Sequence, residues 1–172
     1  MQSAFIAIYC ESNFYKNYEQ ISEDKKSYIL PLVIMLNRWD GKIGFIGGHI
    51  DEDETVLDCI IRETKEEIGF SISDNLQKNI TFICSKQIND LTTHLYALKV
   101  NEDIFRAILS EQHKSMHFLA EGTATAIHFV NYPHNKSFDN FMQNNFAPTV
   151  KEEIYDFVKK LGWIEKYNLY LT

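Results

Sequence analysis

The stretch VLDCIIRETKEEIGF, Val56 to Phe70, sets three glutamates, Glu63, Glu66 and Glu67, against an apolar run. On a helix over 55–68, at roughly 100° per residue, Val56, Leu57, Ile60, Ile61 and Thr64 form one core-facing sector. Glu63 lies three and four positions before Glu66 and Glu67, so the three carboxylates share a face. That face flanks the apolar sector, and Glu67 falls close to it. Like charges at this spacing repel when exposed and cost more when partly buried, unless they are paired or hold a cation. Oxygen-only ligands suit Mg²⁺ or Mn²⁺, which keep several waters and engage substrate phosphates. The bland alternative is a solvated acidic face near a helix end, with Arg62 paired to Glu66 or Asp58.

The rest of the chain fits a folded domain around such a helix. Its 172 residues are expected to form a single domain, 1–172, and the 45% hydrophobic and 13% aromatic content supports a packed core. No apolar run approaches the ~20 residues needed to span a bilayer. The start, MQSAFIAIYCESN, lacks a basic region and reads as a strand over 3–10, not as a leader. Cys10, Cys59 and Cys84 contain no CxxC pair and are expected to be reduced core residues, in keeping with an intracellular, cytoplasmic setting; a nuclear one stays open for a eukaryotic source. The formal net charge of -7 argues against broad nucleic-acid binding by phosphate neutralisation.

Further strands are expected over 27–36, 43–46, 80–88, 92–100 and 123–132, with a hairpin turn at Trp39 to Lys42 and a second turn at Asn89-Asp90. Asn101 is expected to cap a helix over 102–114. A last helix should start near Pro148 with a Thr149/Glu152 capping box and stop at Gly162. Strands and helices mix without strict alternation, which gives an α+β class with a mixed sheet flanked by helices.

Extended to GHIDEDETVLDCIIRETKEEIGF, the glutamate stretch resembles the Nudix signature, G-x5-E-x7-R-E-U-x-E-E-x-G-U, where U is bulky and aliphatic. Gly48, Glu54, Arg62, Glu63, Glu66, Glu67 and Gly69 match every fixed position. At average residue frequencies this coincidence has a probability on the order of 10⁻⁸. Thr64 and Phe70 depart from the aliphatic positions. LPLVIMLNRWDGKIGFIGGHID, THLYALKV and DNFMQNNFAPTVKEEIYDFVKKLG are similar to the Nudix subgroup that decaps small nucleolar RNA or cleaves inosine diphosphate.

The resemblance implies an α/β/α Nudix sandwich with the signature as a loop-helix-loop. It implies that Glu63, Glu66 and Glu67 hold Mg²⁺ or Mn²⁺ with the carbonyl of Gly47, and that Arg62 and Glu54 orient the cluster. Glu121, in HFLAEGTA, is the candidate for a further metal ligand from a distant loop. Glu63 or Glu67 is the candidate general base, with Glu121 kept open. The substrate base is expected near Phe5, Arg38, Phe45, Gly48 and His49, with Gln143, Asn144 and Phe146 beside it. The position of Phe5 is usually histidine in that subgroup, and that of His49 usually an apolar aromatic. His94, His113, His117, His128 and His134 are read as surface or structural.

The implied activity is cleavage of a nucleoside diphosphate linked to X, on capped RNA 5′ ends or (deoxy)inosine diphosphate-type nucleotides. An ADP-ribose or dinucleoside polyphosphate hydrolase is the alternative of the same chemistry. A non-catalytic Nudix-fold module that senses a nucleotide is the alternative of another class. No membrane partner is expected, and a homodimer is a further implication of the resemblance.

Overall fold

The computed structural model describes residues 1–13, 28–131 and 136–170. Strand β1, Gln2–Ser12, is the organising element. Its residues alternate between two cores, as the period of two requires. Ala4, Ile6, Ile8 and Cys10 enter one, and Ala7 and Tyr9 enter the other, with Phe5 packed against it.

One edge of β1 pairs in parallel with β6, Leu91–Lys99. The opposite edge is shared. Its first half, Ser3 to Ile6, pairs antiparallel with β4, Ile46–His49, and its second half, Ile8 to Ser12, with β2, Leu30–Arg38. The edges are completed by β3, Ile43–Gly44, on β2, by β5, Thr81–Ile88, on β6, and by β7, Gly122–His128, also on β2. The result is a mixed seven-stranded sheet.

Helices α1, Val56–Ile68, and α3, Glu102–Glu111, cover one face. The other face carries α4, Ser137–Phe141, α5, Val150–Lys160, and α6, Trp163–Lys166. A short helix α2, Asp74–Gln77, follows α1. The expected α+β class and the helix-sheet-helix layering are both present. The α4–α6 side is dominated by edge-on aromatic packing: Tyr9, Phe157 and Trp163 meet at centroid distances of 5.3 to 5.5 Å.

Several expected boundaries shift. The strand expected over 27–36 starts at Leu30, because Tyr28 and Ile29 are half exposed, and it runs on to Arg38; Ser27 lies outside the described residues. The strand expected over 43–46 is broken at Phe45, so that Ile46 onward leaves β2 for β1. The helix from Asn101 ends at Glu111 and tightens into a 3₁₀ turn at Gln112–Lys114. The strand expected over 123–132 leaves the ladder after His128, and Tyr132 lies outside the described residues, as does His134. Cys10 and Cys59 are buried and Cys84 only partly so, and all three are free.

The capping box expected at Thr149 does not form. Thr149 has φ 70°, in the left-handed region, and its hydroxyl turns to Glu153 (3.1 Å) and to the Pro148 carbonyl. Gly162 does end α5, with φ 67°.

The end of β1 is clamped to the last helix through Glu11, which accepts from Lys99 (2.9 Å), Lys166 and Tyr167. Burial acts to raise the Glu11 carboxyl, but these donors outweigh it and hold the group down at about 2. A carboxyl depressed in the folded state stabilises above its ordinary pKa, and that contribution fades as pH falls toward the folded value. The melting-temperature gap between wild type and Glu11→Gln should therefore be widest near neutral pH and narrow from about pH 4.5 down to about 2. A gap that ignores pH would remove Glu11 as a clamp.

Candidate metal and nucleotide site

Helix α1 begins at a formed capping box, with Thr55 accepting from the Asp58 N–H and Asp58 accepting from the Thr55 N–H. It ends at Gly69, φ 69°, which donates to the Lys65 carbonyl. The signature therefore forms the expected loop-helix-loop. The buried face of α1 is turned toward the acids relative to the expected sector. Leu57 is 38% exposed, whereas Glu63 is 9% and Glu67 6% exposed. The sheet edge that receives α1 bears Gly47 and Gly48, and the Glu63 carboxylate fills the room that a side chain on Gly48 would take. Thr64 is fully buried, and its hydroxyl donates to the Ile60 carbonyl (2.6 Å), so this departure from an aliphatic residue leaves no unpaired group.

Carboxylate oxygens of Glu63, Glu67 and Glu121 lie within 4.8 Å of one another. Burial pushes the Glu67 carboxyl up to about 9; a hydrogen bond from the Gly47 N–H (2.8 Å) opposes this, and the neighbouring Glu63 and Glu121 add to it. Burial also raises Glu63, opposed by Arg62. Gly47 thus meets the cluster through its N–H.

Arg62 orders the acids that surround it. It holds Glu54 in a two-pronged pair (2.8 and 2.9 Å), and it also donates to Glu63 (2.8 Å), Glu66 (3.2 Å) and the His49 carbonyl (3.0 Å). That pairing depresses Glu54 and raises the guanidinium. Glu66 stands on the Arg62 side and outside the tight triad.

Glu121 arrives from 58 residues beyond Glu63 because its loop is tied to the end of α1. Ser115 donates to the Glu67 carbonyl and the His117 N–H to the Glu66 carbonyl, while the Trp39 N–H holds the Glu121 carbonyl. His117 stands 2.8 Å from Glu121 and lines the same cleft. The expectation that it is surface or structural overlooked this, although its i, i+4 spacing from Glu121 was the available signal. His94 bonds to Ser85 (2.7 Å) and Gln2 (3.3 Å), His113 bonds to the Ser110 carbonyl (2.9 Å), and neither lines the cleft.

The cleft beside the triad has a volume of about 510 Å³, a size suited to a nucleotide-class ligand. Phe5, Arg38, Phe45, Gly48 and His49 all line it. Phe45 does so as a core residue, 1% exposed, while Phe5 keeps part of its ring accessible. Arg38 is engaged by Asp40 at 3.3 Å, and His49 by Ser3 at 2.8 Å. Gln143 and Asn144 are not brought to the cleft: both are exposed, and the Asn144 amide donates to the Phe141 carbonyl. The chain passes them before reaching the cleft, which it lines with Ala147, Pro148 and Val150. Thr93 and Ser3, absent from the expected set, complete the wall.

Residues 3–164 match the Nudt16-like family, described as U8 snoRNA-decapping enzyme-like. The chain belongs to this family of Nudix hydrolases. Comparison with curated proteins returned no match. Among solved structures, the Nudt16-like chain resembles a MutT/nudix family protein from Enterococcus faecalis at 14% identity and TM-score 0.61, over 98% of this chain and 64% of the other. It thus spans under two thirds of that protein's length. A mutT/nudix family protein from Listeria innocua aligns at 10% identity and TM-score 0.56, over 98% and 97% of the two chains. At these identities the likeness shows the Nudix fold.

The two glycines give separable predictions. A Cβ on Gly48 would lie 2.3 Å from Glu63 Oε1, and one on Gly47, φ 139°, would lie 2.1 Å from the Ala4 carbonyl. Gly48→Ala should therefore displace Glu63 and weaken Mn²⁺ binding roughly tenfold or more while the fold persists. Gly47→Ala should lower the melting temperature instead. Equal Mn²⁺ affinity in Gly48→Ala, read by paramagnetic resonance, would take Glu63 out of the site.

Proposed function

We propose that this chain is a divalent-cation-dependent pyrophosphohydrolase that cleaves a nucleoside diphosphate linked to X, with capped RNA 5′ ends or (deoxy)inosine diphosphate-type nucleotides as substrates. The observation that carries the reading is the convergence of Glu63, Glu67 and Glu121 within 4.8 Å at one end of a nucleotide-sized cleft. Three clustered carboxylates, one almost fully buried, are costly unless a cation offsets them. The donors are all oxygen, which fits Mg²⁺ or Mn²⁺.

Glu63, Glu67 and Glu121 would hold the ion, with Glu66 on its outer side. A bound divalent cation supplies neutralisation of the diphosphate and acidification of a water. Arg62 keeps Glu63 and Glu54 in place and fixes the direction in which the cluster faces. Glu63 or Glu67 accepts the proton of the attacking water, since both stand at the triad. Phe5 offers its ring to a base, and Arg38 a positive charge to the substrate. The family description supports an RNA-cap substrate, and the net charge of -7 supports a small nucleotide.

The test is release of nucleoside monophosphate from capped RNA, inosine diphosphate, ADP-ribose and diadenosine polyphosphates with Mg²⁺ or Mn²⁺. Turnover of one of the first two should fall by orders of magnitude in Glu66→Gln/Glu67→Gln, while weak nucleotide binding persists. Undiminished turnover in that variant, or none in wild type, would reject the assignment.

A further inference from the structure

Glu121 is the member of the triad with the most freedom. Glu63 and Glu67 are buried on α1, whereas the Glu121 side chain is 44% exposed, on the loop before β7. The backbone of that loop is fixed. The Trp39 N–H donates to the Glu121 carbonyl (3.2 Å), the Glu121 N–H to the His117 carbonyl (3.3 Å), and the His117 N–H to the Glu66 carbonyl on α1 (3.1 Å). Gly122, φ 147°, closes the loop so tightly against β2 that a Cβ would lie 2.4 Å from the Asn37 carbonyl oxygen. The carboxylate itself can still turn about its side-chain bonds, and the acids Glu63 and Glu67 push it toward water. Among the described residues no lysine or arginine pairs with it.

The group that faces this carboxylate is the His117 imidazole, which lines the cleft together with Glu63, Glu66, Glu67 and Glu121. Its Nδ1 stands 2.8 Å from Glu121 Oε1. That nitrogen is nevertheless buried without a hydrogen-bond partner, so the approach is close but out of line with the ring N–H. A buried polar atom with no partner is destabilising, and such atoms are uncommon in folded proteins. Here the missing partner is already within reach, and a turn of the Glu121 carboxylate is what aligns it. His117 is well placed to demand that turn, because its own N–H is anchored on α1 and its carbonyl on the Glu121 backbone.

We propose that His117 is the positioning residue for Glu121: its Nδ1–H donates to one carboxylate oxygen and so holds the other beside Glu63 and Glu67, ready for a divalent cation. The neutral ring can carry the proton this needs, so the role calls for one tautomer and no change of charge. The hydrogen bond and the occupied site support each other. Ligation turns the carboxylate toward Glu63 and Glu67, that turn completes the Nδ1 bond, and the bond in turn keeps the ligand from swinging out. An outer partner that fixes the direction of a ligating group changes metal affinity roughly ten- to hundredfold. The proposal rests on the cation-site reading of the triad, and adds to it the side chain that makes its loop-borne member a fixed ligand.

The test reads Mn²⁺ affinity by paramagnetic resonance, apart from turnover. His117→Phe keeps a ring and the anchoring backbone but removes the donor, and should weaken Mn²⁺ binding roughly tenfold or more. His117→Asn returns an amide N–H near the place of Nδ1 and should recover most of that loss. Glu121→Gln should also weaken binding, and adding His117→Phe to it should change affinity by less than about twofold, because the ring acts through that carboxylate. In the wild type with ¹⁵N-labelled histidine, Mg²⁺ should move the Nδ1 resonance that His117→Phe deletes, and in Glu121→Gln it should not; this readout stands even if a His117 variant fails to fold. Equal affinity in His117→Phe, an Asn variant no better than Phe, additive losses in the double variant, or an Nδ1 signal indifferent to Mg²⁺ overturns the inference. A wild type that takes up no Mn²⁺ removes the cation site and this inference with it. The expected coupling in a protein that cleaves none of the nucleotides sinks the hydrolase reading alone, and turnover without the coupling sinks the His117 role alone.

Discussion

Electrostatic repulsion among buried acids is the constraint around which this molecule is arranged. Glu63 and Glu67 are nearly out of water, and Glu121 is brought within reach of both. The fold meets that strain from two sides. Arg62 draws charge away from the outer acids, Glu54 and Glu66, and pins Glu63 by one oxygen. The Gly47 N–H offers Glu67 the donor a buried carboxylate needs. What these contacts leave unbalanced, in a cleft the size of a nucleotide, is the capacity for a cation.

Chain topology is what brings these groups to one place. β1 serves both cores through strict alternation, and the break at Phe45 carries the chain from β2 to β4. That transfer sets Gly47 and Gly48 against α1, where the Glu63 carboxylate takes the room a Gly48 side chain would need and Glu67 accepts from the Gly47 N–H. On the opposite side the same sheet edge meets the start of α5. The cleft is consequently lined from both helical layers, by Glu63, Glu66 and Glu67 of α1 and by Val150 of α5.

Much of this was legible in the sequence, for identifiable reasons. The alternation of 3–10 and the fixed spacing of Gly48, Glu54, Arg62, Glu63, Glu66, Glu67 and Gly69 are local patterns, and local patterns carry secondary structure and the signature. Glu121 was readable through resemblance alone. Its placement depends on Ser115 and His117 docking on carbonyls of α1, which no spacing rule encodes. The helical sector was misjudged because apolar count pointed to Leu57, whereas Gly48 leaves room for Glu63 and the Gly47 N–H pairs Glu67. Gln143 and Asn144 looked apt by chemistry, but the chain reaches the cleft only at Ala147. Glu153 drew no expectation, and its burial beside Thr93, 60 residues away, is a tertiary contact that no local spacing announces.

The pairing of β1 also bears on how the chain is made. Its inner edge is the parallel ladder to β6, joining Gln2 to Thr92 and Tyr9 to Lys99. This largely buried strand therefore leaves the ribosome some ninety residues ahead of its partner, and the intervening strands can cover only one of its edges. Until translation passes Lys99 the nascent chain carries an open, sticky ribbon. Yield on expression should thus be governed by synthesis rate and chaperone supply more than by the stability of the finished fold.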